Sequence, residues 1–509
     1  MLVTFLAGAC RREPGPVLPP PIAATYESPK NVLLVTIDTL RADHLGCYGY
    51  FRDTSPTIDS LAAHGVLFTQ CLSTMGTTLP AHLSILTGLY PHQHGHLANR
   101  GAGPQYQPSA GRETAPLFFK RAGYRTGGFV SGQTVKRVTG IDAGFEEFTQ
   151  PPEVDFQNWR DYERPADGAT KDAIAWLERE DERPFFAWVH YWDPHEPNEP
   201  QPEYEARFER DDPRVAALID ARKGDPARIV ERVDKVELAR LFFPALVPDF
   251  GAAPPEELPM IDREIVLDLY RRYDAEIRYA DDQLGVLIDA LKRLGKWDDT
   301  IVVVVGDHGQ SLGQHDWLEH GQVTLDNVHV PLIFRFPGEA IPQPSVVDRV
   351  VSCIDVMATV MARLPLAERS AFQAQSEGRD LLSGAFDRPF AFSHRSIAQR
   401  ALAEHSDEKD RSEVRLGLSE GRWRYYLTGT DGRKEEGVSE RDELFDLETD
   451  PGELVDVSSS HPEETARLRK RVADIVRRRP FHYPEGDVPL TPEERANLQI
   501  LEDLGYAGR

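Results

Sequence analysis

The sequence contains few cysteines, four in 509 residues. Cys10 lies close to the N-terminus, and Cys47, Cys71 and Cys353 are widely spaced. This spacing excludes a dense disulfide framework and a cysteine-based zinc site. If the protein is exported, it does not rely on disulfides for its stability.

Basic residues are also scarce, with 58 Lys and Arg against 83 Asp and Glu and a net charge of −25. This balance argues against an extended nucleic-acid surface. It leaves a small anionic substrate open, because a metal ion can reverse the local field. Beyond the first ten residues no apolar run is long enough to span a membrane. The length, with 40% hydrophobic and 28% charged residues, predicts a globular protein of two domains.

The N-terminus has the pattern of an export signal. Residues 1–9 are mostly apolar and lead into Leu6-Ala7-Gly8-Ala9-Cys10, which resembles a bacterial lipoprotein cleavage site. A proline-rich stretch follows up to residue 28 and is typical of an unfolded tether. We therefore expect residues 1–28 to direct export to the periplasm or cell surface, with membrane contact only through a lipid on Cys10. The alternative is a disordered terminus with an incidental cysteine.

Three continuous apolar runs predict strands that are buried on both faces: residues 31–37, 185–189 and 301–305. Apolar residues at helical spacing over 265–294 predict a long helix between the last two strands. Alternating strands and helices indicate an α/β fold with a doubly wound, mostly parallel sheet. We assign residues 29–400 to a catalytic domain, within which 199–262 form an insertion or lid. Residues 401–509 are assigned to a small C-terminal α+β subdomain and tail.

Chemically active residues follow the predicted strands directly. Asp38, His190 and the pair Asp307-His308 stand at three strand ends, where open α/β sheets bind ligands. Thr78 lies just before Pro80, which can open a helix. Two carboxylates, an imidazole and a hydroxyl predict a site for one divalent cation, Ca, Mn or Zn. Such an ion would lower the pKa of the Thr78 hydroxyl, and the helix N-terminus would favour an anionic substrate.

Many ordered motifs resemble those of the sulfatase family of the alkaline phosphatase superfamily. The first is Thr78-Leu79-Pro80-Ala81-His82 through Leu86-Thr87-Gly88, which lies over the sulfatase signature. The others are residues 31–38, 90–95, 123–126, 190–195, 273–278, 306–309, 330–333 and 444–452.

The resemblance implies roles for individual residues. It places Asp38, Thr78, Asp307 and His308 at the metal and makes Thr78 the nucleophile. It also implies that His195 and His320 contact the ester oxygens or protonate the leaving group, and we add His82 to the catalytic set. His190 and Trp192 adjoin these positions and are assigned to substrate binding.

Several positions depart from the family pattern. Thr78 stands where sulfatases carry the Cys or Ser that matures to formylglycine, and its Cβ methyl group prevents oxidation to an aldehyde. Thr39 replaces a second Asp, His82 the motif Arg, His308 a common Asn, and His320 lies near a sulfate-binding Lys. Residues 129–133 stand where many sulfatases have Gly-Lys-Trp-His and offer neither Lys nor His.

We therefore predict a metal-dependent hydrolase that cleaves a sulfate or phosphate/phosphonate ester, of a glycan or a lipid, through Thr78. One alternative is a transferase that moves a phospho-group to an envelope acceptor, which product analysis would distinguish. Another is a non-catalytic surface lipoprotein that binds an anionic glycan; the presence of every predicted metal ligand argues against it.

Two residue groups outside this set have simpler interpretations. His92, His94 and His96 could form a separate metal site, but their loop setting favours structural hydrogen bonds. Trp188 is predicted to lie in the core, whereas Trp192 and Trp317 are expected to face the cleft.

Overall fold

The computed structural model describes residues 30–97, 99, 105–152, 164–221, 263–338, 344–384, 386, 388–395, 414–429 and 440–478. The predicted signal and tether at 1–28 lie outside these residues, as do 222–262 of the predicted insertion and the tail after 478. No helix in the described ranges has both the length and the apolar character needed to cross a membrane.

Eight described strands form one mixed, mostly parallel sheet, which confirms the predicted fold class. Its spatial order is β4-β3-β5-β1-β6-β7-β2-β8, and only β7 runs antiparallel to its neighbours. The strands are β1 (Asn31–Ile37), β2 (Val66–Leu72), β3 (Arg125–Val130), β4 (Glu147–Thr149), β5 (Phe185–Tyr191), β6 (Thr300–Gly306), β7 (His329–Arg335) and β8 (Ser345–Ser352). The central strands β1, β5 and β6 are buried along their whole length, as their uninterrupted apolar sequences predict.

Helices cover both faces of this sheet. They are α1 (Pro56–Ala63), α2 (Thr78–Thr87), α3 (Pro91–His94), α4 (Ala115–Arg121), α5 (Ala166–Leu177), α6 (Pro202–Glu205), α7 (Pro213–Ala221), α8 (Arg263–Arg293), α9 (Leu325–Val328), α10 (Asp355–Met361) and α11 (Arg369–Gln375). Because side chains alternate along a strand, β1 sends Val32 and Leu34 to the core beneath α2 and α4. Leu33 and Val35 point to the opposite core, beneath α5 and α8.

A second sheet of four antiparallel strands lies beside the main domain, in agreement with the predicted C-terminal α+β unit. It consists of β9 (Phe390–Arg395), β10 (Val414–Glu420), β11 (Trp423–Gly429) and β12 (Arg441–Asp446), and α12 (Pro462–Val476) packs on it through Leu468 and Val472. β9 pairs along its length with β10 and therefore belongs to this sheet. The second sheet thus begins before the predicted boundary at residue 401.

The described part of the predicted insertion, residues 199–221, contains two short helices. Residues 202–221 contain α6 and α7, and Arg271 of α8 forms an ion pair with Glu205 at 2.6 Å. A lid role for residues 199–262 stays a prediction.

Candidate active site

Asp38 and Asp307 meet at the carboxyl ends of two neighbouring strands. β1 and β6 pair in parallel with Ile37 opposite Gly306, so the next residue of each strand is one of these aspartates. Both side chains are fully buried. Their position at the end of a parallel sheet agrees with the place where such folds bind ligands.

Asp307 is held in one orientation by two backbone amides. The N–H of His308 donates to Oδ1 at 2.7 Å and the N–H of Thr39 donates to the same oxygen at 3.2 Å. Thr39 has φ +52°, a left-handed conformation that is unusual for a β-branched residue. The hydroxyl of Tyr273, on α8, donates to the Thr39 carbonyl at 2.6 Å and supports this conformation. Oδ2 of Asp307 is thereby directed into the site.

His308 has the tautomer that a metal ligand requires. Its Nδ1 is 3.0 Å from the carbonyl oxygen of Gly309, so Nδ1 carries the proton. The Nε2 lone pair then faces Oδ1 of Asp38 at 3.4 Å, Oδ2 of Asp307 at 3.5 Å and the Thr78 hydroxyl at 3.3 Å. A backbone bond to the second ring nitrogen is the usual way to fix a ligating histidine.

The unsatisfied oxygens of this cluster fit a cation. Both carboxylate oxygens of Asp38 and Oδ2 of Asp307 are buried, with no hydrogen-bond partner among the described residues. Burial raises the pKa of both carboxyl groups well above their usual range, and Asp38 raises that of Asp307 further. A cation between the two carboxyl groups would favour the charged form of both. One oxygen of each carboxylate and Nε2 of His308 lie within 4.8 Å of one another, which suits a single divalent ion.

Thr78 is the first residue of α2, and its hydroxyl points at this cluster. The N-terminus of α2 adds the partial positive charge of the helix dipole beside the hydroxyl. The Leu79 N–H donates to the side-chain oxygen of Asn99 at 2.8 Å. The geometry thus brings a hydroxyl, the candidate metal ligands and the positive end of a helix together.

The Thr36 hydroxyl joins two histidines behind the carboxylates. Trp188 Nε1 donates to it at 2.9 Å, while Nε2 of His82 and Nδ1 of His190 lie at 2.9 and 3.1 Å. His82 Nδ1 donates to the Thr78 carbonyl at 2.8 Å. Burial lowers the pKa of His82 well below its usual range, helped by the nearby His190, and burial lowers the pKa of His190 to about 3. Both rings are therefore neutral.

Two further histidines, His195 and His320, lie beside the candidate metal ligands. Nδ1 of His320 is 3.0 Å from Oε1 of the buried Glu196, and its ring stacks on His308 at 4.9 Å. Burial opposes protonation of His320, but the charge and hydrogen bond of Glu196 outweigh it and raise its pKa to about 9. His195 donates Nδ1–H to the Glu196 carbonyl at 2.6 Å, and burial lowers its pKa to about 4. Trp192 stacks on His195 at 3.8 Å.

The structure brings all the predicted site residues into this one region. Asp38, Thr78, Asp307 and His308 form its centre, with His82 and His190 on one side and His195, His320 and Trp192 on the other. Trp317 contacts the His320 carbonyl through its indole N–H at 3.3 Å.

Two contributors were missed in the sequence. Thr36 lies two residues before Asp38, so strand periodicity alone places both on one face of the sheet. Glu196 follows His195 directly, but its partner His320 is distant in sequence.

The other histidine run has a structural role. Nε2 of His94 lies 3.0 Å from the Ser84 hydroxyl and 3.2 Å from the Pro80 carbonyl, which ties α3 to α2. This agrees with the hydrogen-bonding interpretation. Trp188 is fully buried, which confirms its predicted place in the core.

Comparison with known proteins gives a consistent family. A family model described as Sulfatase matches residues 30–366, well over half of the chain. Iduronate 2-sulfatase of Homo sapiens is 28% identical over 364 residues, which cover 64% of this chain and 63% of that protein. The chain thus matches somewhat less than two thirds of that relative's length.

Solved structures share the fold. The phosphonate monoester hydrolase of Agrobacterium radiobacter superposes with a TM-score of 0.64 at 22% identity, covering 88% of this chain and 95% of that one. A structure in complex with its substrate D-glucosamine-2-N,6-O-disulfate superposes with a TM-score of 0.65 at 19% identity, covering 89% and 99%. From the family match and the shared fold, this chain belongs to the sulfatase family.

Proposed function

We propose that this protein is a metal-dependent hydrolase of a sulfate or phosphate/phosphonate ester, with the Thr78 hydroxyl as nucleophile. The observation that carries the proposal is the 3.3 Å contact between Thr78 Oγ1 and Nε2 of His308. The same nitrogen lies 3.4 Å from Oδ1 of Asp38 and 3.5 Å from Oδ2 of Asp307, and Thr78 is the first residue of a helix. A hydroxyl in such surroundings is activated for attack on an anionic ester.

A divalent ion held by Asp38, Asp307 and His308 would lower the pKa of the Thr78 hydroxyl and neutralise charge on the ester. Having released its proton to water, Thr78 Oγ1 forms a bond to sulfur or phosphorus while the bond to the leaving-group oxygen breaks. Water then attacks the Thr78 ester, which restores the hydroxyl and releases sulfate or the phosphorus acid. The positive end of α2 stabilises the charge on the non-bridging oxygens in both steps.

His320 is the proposed acid that protonates the leaving group. Its ion pair with Glu196 keeps the ring charged, whereas His195 is neutral and uses its Nδ1–H on the Glu196 carbonyl. His82 is not suited to proton transfer, because its two ring nitrogens bond to Thr78 and Thr36. We therefore assign His82, which lies within α2, a positioning role rather than a catalytic one.

The test uses two variants of the nucleophile and four ester classes. Metal-loaded protein is assayed on an aryl sulfate, a phosphate monoester, a phosphodiester and a phosphonate monoester. Thr78→Val keeps the side-chain shape but removes the hydroxyl and should lower kcat by about 10³-fold or more. Thr78→Ser keeps the hydroxyl and should retain measurable turnover. Equal activity in Thr78→Val and the unmodified protein would refute the Thr78 mechanism.

The same assay separates the alternative functions. A product in which an added alcohol carries the phospho-group would favour the transferase. Binding of a sulfated sugar without turnover of any ester would favour a binding protein. A sulfated or phosphorylated glycan is the substrate class we favour, supported by the disulfated glucosamine named for one structural neighbour.

We also propose that the protein is exported and attached to a membrane through Cys10. The support is the apolar stretch that precedes Cys10 and the proline-rich stretch that follows it. Metabolic labelling with a fatty acid, abolished by Cys10→Ser, tests this proposal.

A further inference from the structure

A second cluster of ligand-type side chains lies outside the active site, where the main domain meets the C-terminal sheet. His315 lies in the loop after β6, Asp326 lies in α9 and Glu453 follows β12. One nitrogen or oxygen atom of each residue lies within 4.8 Å of the corresponding atoms of the other two. None of the three residues takes part in the proposed hydrolysis, so the cluster needs an explanation of its own.

The distances in this cluster repeat those at the candidate metal ligands of the active site. Nε2 of His315 lies 3.6 Å from Oδ1 of Asp326 and 3.6 Å from Oε2 of Glu453. From Nε2 of His308 to its two carboxylates the distances are 3.4 and 3.5 Å. Ligand atoms at about 2.0–2.2 Å from one tetrahedral ion lie about 3.3–3.6 Å apart, whereas a charge-assisted hydrogen bond measures about 2.7–2.9 Å. The separations therefore suit an ion between the three atoms.

Asp326 directs one unsatisfied oxygen into the cluster. Its Oδ2 accepts hydrogen bonds from the Ser311 hydroxyl and from the side-chain amide of Asn327. Its Oδ1, on the side of His315, is buried and has no hydrogen-bond partner among the described residues. Only 5% of the side chain is exposed. A buried carboxylate oxygen without a partner is costly, so a cation bound at Oδ1 would stabilise this arrangement.

Glu453 is oriented in the same way. Its Oε1 accepts a hydrogen bond from the Tyr426 hydroxyl, and its Oε2 accepts one from the Leu325 N–H at 2.9 Å. Oε2 keeps a second lone pair on the side of the cluster. The guanidinium of Arg424 lies 3.7 Å from Oε1, but its N–H groups donate to Tyr426 and to two other oxygens. Arg424 therefore does not occupy Oε2.

The backbone holds two of these side chains in place at some cost. In the described ranges three non-glycine residues have a left-handed φ, namely Thr39, His315 and Glu453. Thr39 adjoins the active-site carboxylates, and the other two both belong to this cluster, with φ +55° and +54°. Such conformations persist where the surrounding structure requires a particular side-chain position.

We propose that His315, Asp326 and Glu453 bind a second divalent ion, a transition metal such as Zn²⁺. One imidazole and two carboxylates suit such an ion, whereas Ca²⁺ prefers a shell of oxygen ligands. The His315 side chain is 26% exposed, so water can reach the ion and complete its coordination. In the metal-free protein the two carboxylates instead favour a proton on His315.

The proposed role of this ion is structural. Glu453 belongs to the C-terminal unit, whereas His315 and Asp326 belong to the main domain. An ion bound by all three would join the two units, and its binding free energy would add to the stability of the folded chain. The inference goes beyond the proposed ester hydrolysis and does not depend on it.

The direct test locates the ion by anomalous diffraction. Crystals of the full-length protein with Zn²⁺ are measured on both sides of the zinc absorption edge. We expect an anomalous peak about 2.0–2.2 Å from Nε2 of His315, Oδ1 of Asp326 and Oε2 of Glu453. The absence of a peak at this position overturns the proposal, whether or not zinc is bound at Asp38 and Asp307.

A titration in solution excludes binding that occurs only at crystal concentrations. The background is chelator-treated Asp307→Asn, which lacks a ligand of the active-site ion, so that the second site is measured alone. Calorimetric titration with Zn²⁺ should show one equivalent bound. Adding Asp326→Asn should weaken this binding at least tenfold, because the charged ligand is lost while an oxygen remains to accept the Ser311 hydrogen bond.

His315→Asn is the second variant, because asparagine tolerates the left-handed backbone at this position. It should also weaken Zn²⁺ binding at least tenfold. The matched control is Glu448→Gln, which removes an exposed carboxylate from the segment that carries Glu453 and should bind Zn²⁺ normally. Equal Zn²⁺ affinity in Asp326→Asn and Glu448→Gln would contradict the proposal.

Elemental analysis of zinc-loaded protein gives a readout that does not require the Asp307 variant. Asp326→Asn should retain one equivalent of zinc fewer than the unmodified protein, and its melting temperature should respond less to added Zn²⁺. The same zinc content in both proteins would refute the second site. Turnover that depends on Thr78 tests the proposed hydrolase separately, so either idea can fail without the other.

Discussion

At the scale of single residues, the site depends on how backbone groups orient charged side chains. Asp307 gives one oxygen to two amides and leaves the other for a cation. His308 gives Nδ1–H to a carbonyl and leaves Nε2 as a ligand. Glu196 acts similarly on His320, because its buried negative charge keeps that imidazole protonated.

Replacement of Glu196 by Gln should change the pH dependence of catalysis. The acid role of His320 requires its protonated form, which is present below its pKa of about 9 and lost as the pH rises through that value. Without the carboxylate the pKa should fall by about 1–3 units, so the basic limb of the kcat profile moves to lower pH. Initial rates between pH 5 and 10 measure this shift.

The control for this prediction is His320→Gln. It should lower kcat at every pH and abolish the basic limb. A basic limb that stays in place in Glu196→Gln, with an unchanged melting temperature, would show that His320 is not the acid.

At the scale of secondary-structure elements, the pairing of β3 with β5 sets the position of His190. Val130 lies opposite His190, and the following Gly132 leaves room for the imidazole. A Cβ atom at Gly132 would lie 2.8 Å from His190 Nε2. The backbone φ of Gly132 is −85°, which any residue can adopt, so the glycine is needed only for space.

Gly132→Ala should therefore displace the His190 imidazole through a steric contact. Adding one methyl group to this tightly packed place should cost about 1–3 kcal/mol of unfolding free energy. Denaturant unfolding measures this loss. Gly384→Ala is the comparison, because a Cβ there meets no atom within 4 Å. Equal stability of the two variants would contradict the steric explanation.

At the scale of the whole molecule, buried charges join the two sheets. Glu453, which follows β12, accepts a hydrogen bond from the Leu325 N–H at 2.9 Å and another from the Tyr426 hydroxyl. His315 lies 3.6 Å from both Glu453 and Asp326. Arg424 of β11 donates to the carbonyl of Val323 in the main domain. These contacts connect the C-terminal sheet to the loops that carry His320.

In the metal-free protein, this cluster of buried charges should make the free energy of unfolding decrease at both low and high pH. Burial opposes ionisation of Glu453, but His315 outweighs it and lowers the pKa of Glu453 to about 2. Burial also opposes protonation of His315, but Glu453 and Asp326 raise its pKa above the usual 6.5. The carboxylate contribution is present above about pH 4.5 and is lost as the pH falls towards 2. The imidazolium contribution is present below pH 6.5 and is lost as the pH rises through its raised pKa.

Glu453→Gln should lower the unfolding free energy by about 3 kcal/mol, because it leaves buried cationic groups without their partner. The loss should be largest between about pH 4.5 and 6.5, where both groups are charged. Denaturant unfolding at pH 5.5 and pH 9 measures it, with the exposed Glu448→Gln as control. A loss that is the same at both pH values would reject the ion pair.

The fold and most of the site could be predicted because their determinants are local. Uninterrupted apolar runs predicted the central strands. Asp38 and Asp307 directly follow β1 and β6, whereas His190 is the last but one residue of β5. β9 could not be placed in the second sheet, because its partner β10 lies beyond a long intervening segment. The order of the eight strands likewise depends on contacts between distant segments.

The sequence by itself determined the residue types at the strand ends, the hydroxyl at position 78 and the family they indicate. Only the tertiary structure decided which of these groups form hydrogen bonds with one another and where their protons lie. The tautomer of His190 follows from Thr36, Trp188 and His82, which come from two strands and a helix. The charge of His320 follows from Glu196, 124 positions earlier in the numbering. Hydrogen bonds and desolvation act through space, so such roles are fixed only when packing brings distant segments together.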